Sequence, residues 1–216
     1  MSKKAGREQL PSKKNYVYWD WGEYCDKIIK IFTDQSRFQI EKEMGDLFAD
    51  SSLLTPKRLS VNEAALVIEY AHIDGFPVVE LIESTELAQA EKIIRKICAW
   101  LVEFYSITFE KKGCRYILGD IHLRNFLYKK KDDSVYGIDF EECRPGRIES
   151  DAARLYVFIL YYDPAFTPRK KALAACFWNT LSTSLELDHT SFREEVKRET
   201  AELLARRATN PRLNRT

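Results

Sequence analysis

The sequence predicts an α+β fold in which strands come first and helices follow. Over residues 15 to 70, short alternating apolar and polar runs are typical of strands, and one helical pattern interrupts them. Beyond residue 85, apolar residues recur at intervals of three and four, which is the spacing of a helix with one buried face. The exception is a segment of residues 116 to 142, called the polar hairpin below, in which two short apolar runs flank a lysine-rich turn. A small sheet followed by a mostly helical part is therefore expected.

The first part of the chain carries four predicted strands and one predicted helix. The helix is expected to begin at Ser36, because Ser36 and Gln39 have the spacing of a capping box and apolar residues follow at helical spacing. Residues 1 to 14 are interpreted as a basic leader that is flexible and has no regular structure. The chain has barely enough residues before Ser12 for a further strand. The strands are expected over residues 16–19, 24–32, 59–61 and 64–70.

The second part carries four predicted helices and a basic tail. A broad apolar stripe marks the first helix as a buried scaffold element. The others are predicted from signals at their starts: an N-terminal aspartate, a threonine followed by proline, and a serine–glutamate capping box. The start signals are Thr85, Asp151, Thr167 with Pro168, and Ser191 with Glu194, and the tail is residues 206–216.

The polar hairpin holds three polar residues at characteristic intervals. Asn125 follows Asp120 by five residues, and Asp139 follows Asn125 by fourteen. Pairing of the runs 126–128 and 135–138 would bring Asn125, just before the first strand, beside Asp139, at the end of the second. Two carboxylates and a carboxamide suit a hard cation with phosphate oxygens, and leave one carboxylate free to accept a proton. The structural alternative is that these side chains only cap turns.

The polar hairpin resembles the catalytic and metal-binding segments of the protein-kinase-like superfamily, in particular its aminoglycoside and choline phosphotransferase branch. That branch has Gly-Asp-x-His-x-x-Asn, a hydrophobic strand and then Ile-Asp-Phe. This chain has Gly-Asp-Ile-His-Leu-Arg-Asn at residues 119–125 and Ile-Asp-Phe at residues 138–140. It departs at Leu118, where that branch usually has His, and at Glu141, which replaces Gly as the third residue of the metal motif. Lipopolysaccharide-core sugar kinases and compact atypical protein kinases are similar as well.

The resemblance implies a two-lobed, protein-kinase-like fold. A small antiparallel-sheet N-lobe would span residues 15–74, and a mostly helical C-lobe would span residues 75–205. A hinge would connect them near residues 70–76, and the polar hairpin would lie at the junction of the lobes.

The resemblance also implies transfer of the γ-phosphoryl group of ATP, mainly by positioning and charge stabilisation. Asp139 and Asn125 would bind Mg²⁺, and Asp120 would accept or orient the hydroxyl proton of the acceptor. Lys30 would hold the α- and β-phosphates. The alternation over residues 28–32 agrees with this role, because it points Lys30 to the same face as apolar neighbours.

The remaining nucleotide-binding residues rest on the resemblance alone. Glu41, on the first helix, has the spacing expected of the ion-pair partner of Lys30. Ser12 lies in a segment that resembles the Ser-rich phosphate-covering loop of small-molecule kinases. A glycine-rich run is absent, and the lysines of the segment, Lys13 and Lys14, could offer charge to phosphate in its place. The backbone groups that would meet the edge of adenine are those of Glu69, Tyr70 and Ala71.

Composition narrows the protein class. The chain has 216 residues, 45% of them apolar and 31% charged, as in an ordinary globular protein with a sizeable core. Its net charge of +1 implies no general attraction to nucleic acid. Five scattered cysteines argue against a disulfide framework or zinc site and favour a reducing compartment. With no apolar run long enough for a membrane span and no signal peptide, a cytoplasmic location is expected.

Together these features predict an ATP- and Mg²⁺-dependent phosphotransferase that acts on a hydroxyl group of a small molecule or sugar. Two alternatives stay open. One is a compact atypical Ser/Thr protein kinase or a lipopolysaccharide-core sugar kinase on the same fold. The short segment between Asp139 and Asp151 argues only against a conventional protein kinase. The other, of a different class, is a catalytically silent kinase-like module that binds nucleotide, which the missing glycine loop favours.

Overall fold

The N-terminal part of the structure is an antiparallel sheet. The computed structural model describes residues 5–22 and 26–209. The sheet strands are β1 (Gly6–Leu10), β2 (Tyr16–Trp21), β3 (Lys27–Ile31), β4 (Arg58–Asn62) and β5 (Val67–Ala71). They lie in the order β1-β2-β3-β5-β4, and every neighbouring pair is antiparallel. Strands β2 to β5 match the four predicted strands to within a few residues. The first two residues of the predicted strand 24–32 lie outside the described residues.

Strand β1 corrects the interpretation of residues 1 to 14 as a leader without regular structure. Gly6–Leu10 pairs with β2 along its whole length, from Gly6 opposite Trp21 to Leu10 opposite Val17. The strand is largely exposed at the edge of the sheet, so its sequence has no apolar alternation that would reveal it. Residues 1–4 of the predicted leader lie outside the described residues.

Helix α1 (Gln35–Phe48) follows β3, and its cap differs from the predicted one. The Asp34 carboxylate accepts the N–H of Arg37 at 2.9 Å, so Asp34 is the N-cap. The predicted capping box of Ser36 and Gln39 is therefore wrong. Aspartate is as good a cap as serine, and Asp34 stands two residues earlier in the chain.

The same helix contacts two hydrophobic clusters. Phe38 packs with Phe32 and Ile68 in a small cluster on the sheet. Met44 and Phe48, further along α1, belong to the large core of the helical part. Helix α1 therefore joins the sheet to the rest of the molecule.

The second part of the structure is mostly helical. Its helices are α2 (Val78–Ser84), α3 (Leu87–Lys112), α4 (Ile148–Tyr161), α5 (Pro168–Leu185) and α6 (His189–Thr209). The long helix α3 is the scaffold, and its predicted apolar stripe is buried. Thr85 does not cap α3 as predicted: its N–H bonds to Leu81 at the end of the short helix α2, and Glu86 precedes α3.

The starts of the last two helices test the other cap predictions. Thr167 accepts the N–H of Lys170 at the start of α5, as the Thr-Pro signal predicts. In α6 the cap is Asp188, which accepts the N–H of Ser191 at 2.8 Å, so the predicted capping box there is wrong. The first residues of the predicted basic tail, up to Thr209, continue α6. Among the described residues, no helix is long and apolar enough to cross a membrane.

The polar hairpin forms as predicted. Strands β8 (Phe126–Lys129) and β9 (Ser134–Gly137) pair with Phe126 opposite Gly137. Strand β6 (Phe76–Pro77) pairs with β8 on its other side. Strands β7 (Tyr116–Ile117) and β10 (Arg144–Pro145) pair across the base of the segment. The architecture confirms an α+β fold with a small antiparallel sheet followed by a mostly helical part.

Candidate active site

Lys30 lies at the centre of a buried charge cluster. Its ammonium is 2.7 Å from Asp139 Oδ1, 2.9 Å from Glu141 Oε2 and 3.3 Å from Glu41 Oε2. It also lies 4.7 Å from the Phe32 ring centre, as the predicted strand alternation requires. Burial disfavours the charged form, but the surrounding carboxylates outweigh it and raise the pKa of Lys30. Lys30 is therefore a permanent cation inside the fold.

Glu41 connects helix α1 to three other parts of the fold around Lys30. Its carboxylate accepts the Tyr70 hydroxyl at 2.9 Å and the Phe140 backbone N–H at 2.7 Å. Burial raises the pKa of Glu41, and the charge of Lys30 opposes that rise. The predicted contact between Glu41 and Lys30 is present. Through these three contacts Glu41, on α1, links β3, β5 and the end of the polar hairpin.

Asp139 is the carboxylate of the cluster that is open to solvent. Oxygen atoms of Glu41, Asp139 and Glu141 lie within 4.8 Å of one another. The Asp139 side chain is 45% exposed, whereas those of Glu41 and Glu141 are almost fully buried. Asp139 also has a φ of 70°, a left-handed conformation that costs a non-glycine residue about 1–3 kcal/mol. The fold therefore holds the backbone of Asp139 in an unfavourable conformation and leaves its carboxylate partly open to solvent.

Asn125 presents its carboxamide oxygen from the start of the hairpin. It is buried at the end of a 3₁₀ turn (Leu123–Asn125), and its backbone carbonyl accepts the N–H of Ile138 at 2.9 Å. Its Nδ2 donates to the backbone carbonyl of Asp120 at 3.0 Å, which leaves Oδ1 as the atom for a ligand. A carboxylate at Asp139 and an amide oxygen at Asn125 are donors that a hard cation such as Mg²⁺ accepts. The residues present thus fit the predicted metal.

Asp120 stands on the loop before the 3₁₀ turn with its side chain 49% exposed. One oxygen lies 3.5 Å from the ammonium of Lys14 and the other 3.6 Å from the guanidinium of Arg154. Burial opposes ionisation, but the neighbouring positive groups hold the pKa of the Asp120 carboxyl below its usual range. These groups are His122 in its protonated form, which burial disfavours, and the cations Lys14 and Arg154. Asp120 is thus an ionised, accessible carboxylate.

The backbone that carries Asp120 is fixed from α4. The carboxylate of Asp151 accepts the N–H groups of Leu118 and Gly119 at 2.7 and 3.1 Å. The Tyr105 hydroxyl donates to the same carboxylate at 3.1 Å. Gly119 has a φ of 75°, and a Cβ there would come within 2.5 Å of the Glu142 carbonyl, so the loop needs glycine at this position. Asp151 thus holds the backbone of the loop that carries Asp120.

Several solved structures of similar fold are named as kinases or phosphotransferases. No protein-family profile and no curated protein sequence matches the chain. An aminoglycoside-3′-phosphotransferase of type VIII matches with a TM-score of 0.69 at 12% identity, over 88% of this chain and 92% of that one. An amicoumacin kinase in complex with AMP-PNP and Ca²⁺ matches with a TM-score of 0.64 at 14% identity, over 88% of this chain and 78% of that one. The choline kinase of Streptococcus pneumoniae matches at 0.53 and 13%, over 93% and 94%. This chain has the protein-kinase-like fold.

In this kinase-like fold the turn between β1 and β2 differs from its predicted role. Ser12 is exposed, and its hydroxyl accepts the backbone N–H of Asn15 at 3.2 Å, so it caps the turn and does not face the charge cluster. Two other residues of the turn do. The ammonium of Lys14 lies 2.8 Å from Glu142 Oε1, and Asn15 Nδ2 donates to Glu141 Oε2 at 2.5 Å.

The predicted adenine-contacting residues are already engaged in the kinase-like N-lobe. Glu69, Tyr70 and Ala71 all lie in β5. The Glu69 carboxylate pairs with Lys27 at 2.7 Å, and the N–H of Ala71 bonds to the Lys57 carbonyl at 2.8 Å. The Ala71 N–H is therefore engaged within the protein, and the contact of the backbone of residues 69–71 with adenine stays a prediction. Residues 72–75, between β5 and β6, form the connecting segment of the two lobes.

Sequence reasoning missed several charged residues of the site. They are Arg37, Glu142 and Arg154, whereas Lys14 was considered only as one of two lysines that could offer charge to phosphate, and Glu141 only as a departure from the metal motif. Glu142 connects Lys14 and Arg37, because both approach the same oxygen, at 2.8 and 3.2 Å. Recognition of β1 would have revealed Lys14, since it would have placed a strand–turn–strand unit before Tyr16. No local pattern marks Arg37 or Arg154.

Proposed function

We propose that this protein is a phosphotransferase that moves the γ-phosphoryl group of ATP to a hydroxyl group of a small molecule or sugar in the presence of Mg²⁺. One observation carries the proposal. A buried ammonium, that of Lys30, lies 2.7 Å from the half-exposed carboxylate of Asp139, and a second half-exposed carboxylate, that of Asp120, stands on the adjoining loop. His122 lies within electrostatic reach of both aspartates, which supports their placement at one site.

Each group has a chemical role in this reaction. Lys30 stays protonated in its carboxylate cage and binds the α- and β-phosphates. Asp139 and the amide oxygen of Asn125 hold the divalent cation. When bound, ATP would supply the phosphoryl group, and Mg²⁺ would neutralise part of the charge on its phosphate oxygens. Asp120 accepts the proton of the acceptor hydroxyl as the new bond to phosphorus forms.

The similar solved structures support this assignment by analogy. They are kinases or phosphotransferases of aminoglycosides, amicoumacin and choline, and one of them holds AMP-PNP and Ca²⁺. A nucleotide with a divalent cation, and a small hydroxyl-bearing acceptor, are the matching proposals for this chain. A reducing, cytoplasmic location is proposed as well, because the cysteines at 98, 114, 143 and 176 are free thiols.

Two other functions each have an observation in their favour. Only residues 140–147 separate Asp139 from α4, a length that suits compact atypical or sugar kinases and argues against a conventional protein kinase. A catalytically silent nucleotide-binding module is favoured by the turn at residues 11–15, which contains no glycine. The intact set of Asp120, Asn125 and Asp139 favours the enzyme.

Melting curves and a turnover assay test the proposal. Saturating Mg²⁺-ATP is expected to raise the melting temperature, because a ligand that binds only the folded state stabilises it by mass action. ATP without Mg²⁺ is expected to raise it much less. Phosphate transfer is then measured with a panel of metabolites, sugars and proteins. A melting curve that Mg²⁺-ATP leaves unmoved would rule out the nucleotide site, and binding without turnover on any acceptor would favour the silent module.

A further inference from the structure

The turn between β1 and β2 places an ammonium directly above the proposed catalytic loop. Lys14 is half-buried and approaches Asp120 at 3.5 Å and Glu142 at 2.8 Å, although both lie more than 100 residues further along the chain. Its neighbour Lys13 is exposed to solvent. Two adjacent lysines on one turn therefore have different environments, and only Lys14 faces the site.

Hydrogen bonds on both sides fix the position of Lys14. Its carbonyl accepts the Thr33 hydroxyl at 2.6 Å, and the next residue, Asn15, is buried. The Asn15 side chain donates to Glu141 at 2.5 Å and accepts the Thr33 N–H at 3.4 Å. The backbone of Lys14 is thus anchored to Thr33, just after β3, and to the segment after Asp139, and the contacts with Asp120 and Glu142 hold its ammonium at the site.

Lys14 pairs with Glu142 and Lys30 pairs with Glu141, two adjacent residues of the chain. Lys30 contacts Glu141 Oε2 at 2.9 Å, and Asn15, next to Lys14, donates to that same oxygen. Lys30 reaches Asp139, the proposed metal carboxylate, whereas Lys14 reaches Asp120, the proposed proton acceptor. A phosphoryl group that passes from a nucleotide held by Lys30 to a hydroxyl held by Asp120 must travel towards Lys14.

We propose that Lys14 is a further catalytic residue of this phosphotransferase, and that its ammonium binds the oxygens of the transferring γ-phosphoryl group. The proposal rests on the proposed function. In the transfer, the bond from the γ-phosphorus to the bridging oxygen of ADP breaks, the bond to the acceptor oxygen forms, and the hydroxyl proton passes to Asp120. The charge on the three equatorial oxygens needs a donor on the acceptor side, which Lys14 supplies.

This assignment also accounts for a turn without glycine. Glycine-rich turns bind phosphate through free backbone N–H groups, but here the N–H of Asn15 is already bonded to Ser12. A side-chain cation replaces those amides. Glu142, with Arg37 on the same oxygen, holds that cation in position before nucleotide binds.

The test compares Lys14→Met and Lys14→Arg with Lys13→Met as the matched control. Calorimetric titrations of the full chain use Mg²⁺-AMP-PNP, which carries a γ-phosphoryl group, and Mg²⁺-ADP, which lacks one. Lys14→Met is expected to weaken AMP-PNP binding about 10- to 100-fold, because a charge-assisted hydrogen bond is lost, and to leave ADP binding within about twofold. Lys14→Arg is expected to recover most of the affinity, and Lys13→Met is expected to match the wild type. Turnover of Lys14→Met is expected to fall in kcat more than in KM for the acceptor.

Three results would overturn the inference. Unchanged AMP-PNP binding in Lys14→Met, with wild-type binding intact, refutes the role of Lys14 and leaves the proposed function standing. Equal losses for AMP-PNP and ADP would show that Lys14 only shapes the turn. Absence of binding by the wild type removes the proposed function and this inference with it. If Lys14→Met fails to fold, Lys14→Gln replaces it in the same titrations.

Discussion

At the scale of single residues, Lys30 and Lys27 differ in what their ammonium groups contact. The Lys30 ammonium is enclosed by three carboxylates. The Lys27 side chain is 32% exposed and pairs with Glu69. Lys30→Met is expected to lower turnover about 10²- to 10³-fold, because it removes a preorganised charge from the phosphates. The turnover of Lys27→Met is expected to stay within about twofold of that of the wild type, because Lys27 pairs with Glu69 outside the charge cluster and such a pair contributes only about 0–1 kcal/mol to stability.

Turnover in this comparison is measured at a temperature where melting curves show both variants folded. The precaution matters for Lys30→Met, because removal of one partner from a buried ion pair costs about 3–5 kcal/mol of stability. Equal losses for the two variants would show that strand register does not separate their roles.

The two aspartates of the site are expected to respond differently to neutralisation. Asp139→Asn removes charge from the proposed metal ligand, so it should weaken Mg²⁺-ATP binding and transfer together. Asp120→Asn should leave Mg²⁺-ATP affinity close to that of the wild type and lower transfer about 10²- to 10⁴-fold, the usual contribution of a general base. Titration calorimetry beside a turnover assay separates the two effects. The reverse pattern would mean that the assignments of Asp120 and Asp139 are exchanged.

At the scale of elements, the N-cap residue Asp34 stabilises helix α1, which carries Glu41. Asp34→Ala removes the carboxylate that accepts the Arg37 N–H, so it is expected to destabilise the protein by about 1 kcal/mol. For a chain of this length the melting temperature should fall by roughly 2–4 °C. Ser36→Ala is the control, because Ser36 lies inside the helix, where alanine is at least as favourable. A larger loss from Ser36→Ala would restore the capping box that the sequence suggested.

The helix also shows why one element can matter to both parts of the fold. Its first half packs on the sheet through Phe38, and its second half packs into the main core through Met44 and Phe48. Glu41 lies between these two contacts and carries the bonds to Lys30 and Phe140. A change in the tilt of α1 would therefore move Glu41 relative to Asp139.

At the scale of the whole molecule, Asp151 is expected to make stability depend on pH. Burial raises the pKa of Asp151 to about 6, above the ordinary value of an aspartate in the unfolded chain. Its stabilising contribution is therefore complete below about pH 4 and is lost as the pH rises through about 6. The free energy of unfolding of the wild type, relative to that of Asp151→Asn, should fall by about 2–3 kcal/mol over this interval.

Denaturant titrations of both proteins at several pH values measure that difference. The carboxamide that replaces the carboxylate in Asp151→Asn does not titrate, so other ionisable groups cancel in the comparison. Parallel pH profiles would show that folding leaves the pKa of Asp151 unchanged, because the N–H groups of Leu118 and Gly119 offset the effect of burial.

The sequence by itself determined the elements whose partners are close in the chain. The polar hairpin could be predicted because Asn125 and Asp139 belong to two adjacent strands joined by a short turn. Lys30 was predicted from strand alternation together with a resemblance of motifs, and Glu41 from the resemblance and its position on the predicted helix. Such patterns depend on the periodicity of one element, so they are visible without knowledge of the rest of the fold.

The tertiary structure alone decided the contacts between distant segments. Strand β1 lacks an apolar pattern and is ordered by pairing with β2, so its own residues do not reveal it. Lys14 meets Asp120 across 106 residues, and Asn15 meets Glu141 across 126. The Ala71 N–H is bonded to the carbonyl of Lys57, the residue before β4. The physical reason is common to all three: a backbone pairing or a charge contact depends on which partner the fold brings near, and a single segment does not encode that partner.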